Sequence, residues 1–148
     1  MGSFATMVKN IHNIPIDVSC AIIVRDGKIL VARRSNKMEQ AGLWEFPGGK
    51  VDAHESAADG LIREIKEELS VNIQITGSLT PIIHHYKNKT IRLIPFIATI
   101  ADETPIAIEH ERVEWFLPAD LENLNWSPAD IPILKEFLNE RRKNHYRI

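Results

Sequence analysis

Glu64, Glu67 and Glu68 stand at i, i+3 and i+4, the spacing that brings side chains onto one stripe of an α-helix. Like charges so placed cost a few tenths of a kcal/mol, roughly, per pair, and the stripe therefore wants a cation. One turn earlier it carries Ala57 and Gly60, and Gly inside a helix costs about 1 kcal/mol relative to Ala unless a close approach requires it. Acidic, open and preceded by Gly48-Gly49, the stripe offers hard oxygen donors. Such a set suits Mg²⁺ or Mn²⁺, ions that keep several waters and meet a phosphate. The plainer alternative is a solvated acidic face, in which Arg63 pairs with Glu67 at i+4.

The elements that must position these acids follow from local pattern. Ser56 with Asp59 forms a capping box, so the helix is expected to start at about Ser56 and run to Leu69. Ala58, Leu61, Ile62, Ile65 and Leu69 fall on the face it buries. Before it, a glycine loop ends in Lys50. Residues 14–25 and 28–34 flank Asp26-Gly27, a two-residue turn signal, and predict a hairpin. Residues 35–42 are polar and predict a loop, and 43–46 a short extended piece stopped by Pro47. Downstream, strands are expected over 71–79, 82–86, 90–100 and 113–117, one helical turn over 118–124, and a final helix from Pro128 or Asp130 to about Arg142. Strands, helix, strands, helix implies a mixed sheet covered by helices, an α+β or α/β layered domain.

With 148 residues, 44% hydrophobic and 26% charged, the chain suits one domain over 1–148, residues 1–13 being a flexible extension or a cloning remnant. A net charge of -2 gives no field for a nucleic acid polymer, so a small anionic substrate would need a metal. The single Cys20 lies in an apolar run and reads as core. The N-terminus lacks an apolar stretch of membrane-spanning or signal length. A cytoplasmic protein without a membrane partner is expected, as monomer or homodimer.

From Gly49 the chain reads Gly, five residues, Glu55, seven residues, Arg63-Glu64, Ile65, Lys66, Glu67-Glu68, Leu69, Ser70, Val71. This resembles the Nudix box, G-x5-E-x7-R-E-U-x-E-E-x-G-U with U apolar, at every defined position but one. Ser70 stands where the family has Gly, which puts the helix cap in question rather than the chemistry. The resemblance implies an α/β/α sandwich. Arg33-Arg34 and residues 43–50, 109–115 and 126–134 extend it to the MutT-like branch, which hydrolyses nucleoside triphosphates to monophosphate and pyrophosphate with Mg²⁺ or Mn²⁺.

Carried onto this chain, the resemblance gives the metal to the Gly48 carbonyl, Glu64, Glu67, Glu68 and Glu109, with Glu111 as the fallback for Glu109. Glu64 is the first choice of general base and Glu109 the second, while Glu55 and Arg63 orient the site. It assigns the base to Arg34, Phe46 and Asp130; Lys50 and Arg33 are further substrate-binding candidates, Arg33 either contacting phosphate or facing solvent. Asp130 stands where MutT places an Asn against oxidised guanine. Ionised, it would accept from cytosine N4 or from the N1-H and N2 edge of a guanine. Its Asp-Ile-Pro setting is similar to the CTP pyrophosphohydrolase branch, and an Asp also serves oxidised-purine sanitising enzymes. A helix cap is the plainer role for it. His84, His85, Trp44 and Trp115 read as structural. Hydrolysis of a nucleoside diphosphate sugar or dinucleoside polyphosphate, or a catalytically silent nucleotide-binding module, are the rival functions.

Overall fold

The computed structural model describes residues 14–144; the extension expected over residues 1–13 lies outside them. At the centre is β1 (Ile16–Arg25), whose stretch from Ser19 to Ile23 is buried throughout, as befits a strand covered on both faces. On one edge it runs parallel to β7 (Thr90–Ile100). Its other edge is divided. β4 (Gly48–Lys50) pairs with Val18 to Cys20, and β2 (Lys28–Arg33) with Ile23 to Arg25, both antiparallel. The hairpin turn has φ 52° at Asp26 and 76° at Gly27, the doubly positive geometry that matches strand twist. β3 (Trp44–Glu45) and β8 (Arg112–Phe116) extend the sheet from β2, while β5 (Ile73–Ser78) and β6 (Ile82–His85) share the far edge of β7.

Alternation along β1 and β2 feeds two cores. Ala21, Ile23 and Leu30 face α1 (Ala57–Leu69), which buries Leu61, Ile65 and Leu69. Cys20, Ile22, Ile29 and Val31 face α2 (Ile131–Asn144), which buries Ile133, Leu134, Phe137 and Leu138, with Trp126 and Leu121 beside them. Short 3₁₀ segments at Pro118–Asn123 and Pro128–Asp130 lead into α2. The result is an α+β fold, a mixed sheet between helices, as the element order implied.

Two local expectations need correction. The glycine segment expected as a loop is strand β4, because only a residue without a side chain can lie there: a Cβ on Gly48 would sit 1.9 Å from the Ser19 carbonyl oxygen. Ile62, expected on the buried face of α1, is 36% exposed at its rim. The cap of α1 is as read, the Asp59 N–H donating to Ser56 Oγ at 3.0 Å.

At the other end of α1, Ser70 itself takes the left-handed conformation, φ 59° and ψ 30°, and its N–H donates to the Lys66 carbonyl at 3.1 Å. A side chain in that conformation costs roughly 1–2 kcal/mol, partly offset by the smaller freedom of Ser in the unfolded chain. Ser70→Gly is therefore expected to stabilise the fold by about 1 kcal/mol, read as a rise of about 2–4 °C in Tm by calorimetry.

Candidate active site

The acidic stripe is built against backbone. Glu64 lies over Gly49, where a Cβ would come within 2.3 Å of its carboxylate, and Gly60 leaves room for Glu55, where a Cβ would meet Oε1 at 2.8 Å. That close approach is the reason a glycine sits inside α1. Between the acids stands Arg63. It donates to Glu55 through Nη2 at 2.7 Å and Nε at 3.1 Å, and through Nη1 to Glu64 at 3.1 Å and Glu67 at 3.2 Å. Its Nη2 also donates to the Lys50 carbonyl at 3.2 Å, which ties α1 to β4. The hydrogen bonds from Arg63 hold the Glu55 carboxyl below its ordinary range, and those bonds push the guanidinium up. Glu64 goes the other way: burial raises it, Arg63 opposes, and Glu67 adds to the rise.

Deeper in, a second group of charges forms around His110. Its imidazole is buried, with Nε2 2.7 Å from Glu45 Oε2 and Nδ1 3.7 Å from Glu68 Oε2. A carboxylate only accepts, so Nε2 is the donor. Glu45 also takes both its oxygens to Arg34 Nη1, at 2.8 and 2.9 Å. Glu68 is pushed up to about 7 by burial and by the neighbouring Glu109, against the opposing pull of His110. Its Oε2 and His110 Nδ1 are both buried without a hydrogen-bond partner. Beyond Arg34, Asp130 is buried and its Oδ1 accepts the Phe46 N–H at 2.9 Å. Burial, then Glu45, hold its carboxyl well above the usual range, the Phe46 bond and Arg34 opposing.

One cleft of about 210 Å³ is lined by the second group and by the strand that underlies the first, from Gly48, Lys50 and Glu68 at one end to Arg34, Glu45 and Asp130 at the other, while Glu55, Arg63, Glu64 and Glu67 are not part of its lining. Among the described residues, no three acidic, imidazole or thiol groups stand close enough together to enclose a cation as they are placed. The acids are divided, Glu64 and Glu67 around Arg63 and Glu68 beside Glu109. The donor set still fits a hard divalent cation: it is all oxygen, and Glu68 presents a buried oxygen with no partner in a site whose burial and like charge both disfavour the carboxylate.

A model of the NUDIX domain matches residues 14–137. The chain is a MutT-like Nudix hydrolase. It is 38% identical over 123 residues to the CTP pyrophosphohydrolase of Escherichia coli, spanning 83% of this chain and 91% of that one. To the putative 8-oxo-dGTP diphosphatase 2 of Mycobacterium tuberculosis it is 34% identical over 114 residues, 76% of this chain and 81% of the relative. Among solved structures, the MutT Nudix hydrolase of Burkholderia pseudomallei superposes with a TM-score of 0.76 at 30% identity, covering 84% of this chain and 98% of its own.

Within this Nudix hydrolase, the residues singled out from sequence do not all meet. Gly48, Lys50, Arg34, Phe46, Glu68 and Asp130 border the cleft, Glu64 packs on its Gly49 wall, and Glu109 lies beside Glu68. Phe46 turns its ring into the core, 4.8 Å from Trp126, and offers its backbone N–H to Asp130 instead. Arg33 points away. It binds the Gly42 carbonyl at 3.1 Å and pairs with Glu111 at 3.5 Å, which removes both from the cleft because neighbouring strand residues face opposite sides. Asp130 is not a helix cap, since its side chain is spent on Phe46 and Ser127 makes no cap bond. Cys20 is core as expected. His84 and His85 stay outside the cleft, the first against Tyr86 and the second 2.9 Å from Thr90 Oγ1. Trp44 is buried, and Trp115 lies under Arg25.

Sequence reasoning missed Glu45 and His110. Glu45 sits in a two-residue strand, too short to show periodicity, and His110 in Glu109-His110-Glu111-Arg112, which reads as a surface charge run. A histidine between two acids was the only signal.

A carboxyl raised in the fold stabilises it at low pH: the contribution from Glu68 is complete below its ordinary value of 4.5 and lost as pH rises through about 7. In buffer free of divalent ions, wild-type stability is expected to fall between about pH 4.5 and 7 more steeply than that of Glu68→Gln. Parallel denaturant midpoints across that window for the two proteins would remove the assignment.

Proposed function

We propose that this Nudix hydrolase cleaves cytidine-type nucleoside triphosphates to monophosphate and pyrophosphate with Mg²⁺, Mn²⁺ serving in its place. The observation that carries the substrate is Asp130, buried beside Glu45 at the end of the cleft away from the box acids. In its protonated form, which burial favours, it is one donor and one acceptor. That pair complements N3 and the N4 amino group of cytosine, whereas the N1-H and N2 edge of guanine needs two acceptors. The similarity to a CTP pyrophosphohydrolase supports the same end. An ionised Asp130 would suit oxidised guanine, the second reading, in keeping with the similarity to a putative 8-oxo-dGTP diphosphatase.

The Gly48 carbonyl, Glu64, Glu67, Glu68 and Glu109 would hold the cation. Bound there, Mg²⁺ supplies charge neutralisation of the triphosphate and a lowered pKa for water. The chain's residues do the rest. Glu64, raised by burial and held by Arg63 at 3.1 Å, is placed to take the proton of the attacking water. Glu109, on a loop opposite, is the alternative acceptor. Lys50 at the cleft mouth offsets phosphate charge, and Arg34, fixed by Glu45, orients the base end.

Two measurements test this. Glu67→Gln is expected to keep the fold and to lower turnover by more than about 100-fold, and the rise in Tm that Mg²⁺ gives the wild type should shrink with it. Unchanged pyrophosphate release would sink the metal assignment. Asp130→Asn, which keeps one donor and one acceptor, is expected to retain the preference for CTP and dCTP over GTP, dGTP and 8-oxo-dGTP, whereas Asp130→Ala is expected to lower it by about 10–100-fold in kcat/KM. Equal rates on all of these by the wild type would refute the base assignment.

A further inference from the structure

The segment 106–111 carries Glu109 and is fastened to its surroundings by four hydrogen bonds. The Ile106 N–H donates to the Leu69 carbonyl at 2.9 Å and the Ile108 N–H to the Glu68 carbonyl at 3.4 Å, both at the C-terminal end of α1. The Glu111 N–H donates to the Arg33 carbonyl at 3.0 Å on β2. The fourth fastening is the His110 side chain on Glu45 at 2.7 Å. Of these, only His110 reaches the base end of the cleft. Its other nitrogen faces Glu68 across 3.7 Å.

Resting on the function proposed above, we infer that His110 is a positioning residue that couples base selection to phosphate chemistry. It does so by joining the loop of Glu109, and the carboxylate of Glu68, to the Glu45–Arg34 pair beside Asp130. Glu45 is the shared acceptor. Its Oε2 receives both Arg34 Nη1 at 2.9 Å and His110 Nε2 at 2.7 Å, so a shift of Arg34 on meeting a base is felt at His110. From there it reaches the two acids on the phosphate side, Glu109 by the chain and Glu68 by direct contact. His110 is buried as a residue to 7% exposure and held at Nε2 by Glu45, which restrains the link. Two outcomes of a merely structural His110 differ from this: lost stability would slow every substrate alike, and no polar replacement would restore selectivity.

Three variants separate the cases. His110→Leu keeps the bulk and removes both nitrogens, His110→Gln can return a donor to Glu45, and His110→Asn has too short a reach. For His110→Leu, kcat on CTP is expected to fall about 10–100-fold and the CTP-over-GTP ratio of kcat/KM to fall about 5-fold or more. His110→Gln should recover most of the ratio and His110→Asn should not. A His110→Leu enzyme that slows on both nucleotides with its ratio unchanged overturns the coupling. Independently of any substrate, amide hydrogen exchange without nucleotide should quicken over residues 106–111 in His110→Leu and stay at the wild-type rate in His110→Gln. Equal protection in wild type and His110→Leu overturns the tether. Should the wild type hydrolyse no triphosphate, the function reading fails while the exchange comparison still decides the tether.

Discussion

The contact between β4 and α1 is the constraint on which the rest depends. Strand and helix approach closely there, because Gly49 leaves space for the Glu64 carboxylate and Gly60 leaves space for that of Glu55. Were either glycine larger, the helix would have to move outward. Its acids would then leave the strand they are packed against. Burying Leu61, Ile65 and Leu69 against the sheet supplies the opposing pull, at about 1.5–3 kcal/mol for each fully buried side chain. Close packing on one face of α1 and an acidic groove on the next thus come from a single placement of the helix.

The acids of that groove are organised around two side chains rather than one. Arg63 serves the shallow acids Glu55, Glu64 and Glu67, and His110 stands between the deep acids Glu45 and Glu68. Exposed ion pairs contribute little, so the half-open network of Arg63 does more to fix geometry than to stabilise. The deep group differs, because desolvation there raises Glu68 and Asp130 instead of pairing them away. Such raised acids are uncomfortable in the fold and suited to meeting a cation or a base edge.

Much of this was legible in the sequence where chemistry is local. The capping Ser56, the buried stripe of α1, the Asp26-Gly27 turn and the box spacing all lie within a few residues of what they control. Ser70 was recognisable as a departure, and the structure shows the serine bearing the left-handed cap itself. Legibility failed where a role is set by contacts across long separations. Arg33 and Arg34 are adjacent and alike in sequence, yet strand alternation sends one to Glu111 and the other into the cleft. Nothing local says that Glu45 meets His110, 65 positions on, or that Asp130 meets the Phe46 backbone, 84 positions away. Gly48 to Lys50 read as a loop because glycines mark turns more often than strands; the carbonyl of Ser19, which forbids a side chain there, is distant in sequence.

The same division bears on how reaction and substrate are kept apart. On the function proposed, the phosphate end is made almost wholly from residues 48–68, one short strand and one helix in fixed contact. The base end is assembled from Arg34, Glu45 and Asp130, on a strand end, a two-residue strand and the entry to the last helix. Changing a residue at that end leaves the β4–α1 contact untouched, so selectivity can alter without disturbing the acids. Two residues break the separation. Glu68 is a box acid that lines the shared cleft, and His110 joins it to Glu45. Because a stiff buried contact transmits displacement where a solvated one absorbs it, the base end and the phosphate end cannot relax independently through that pair.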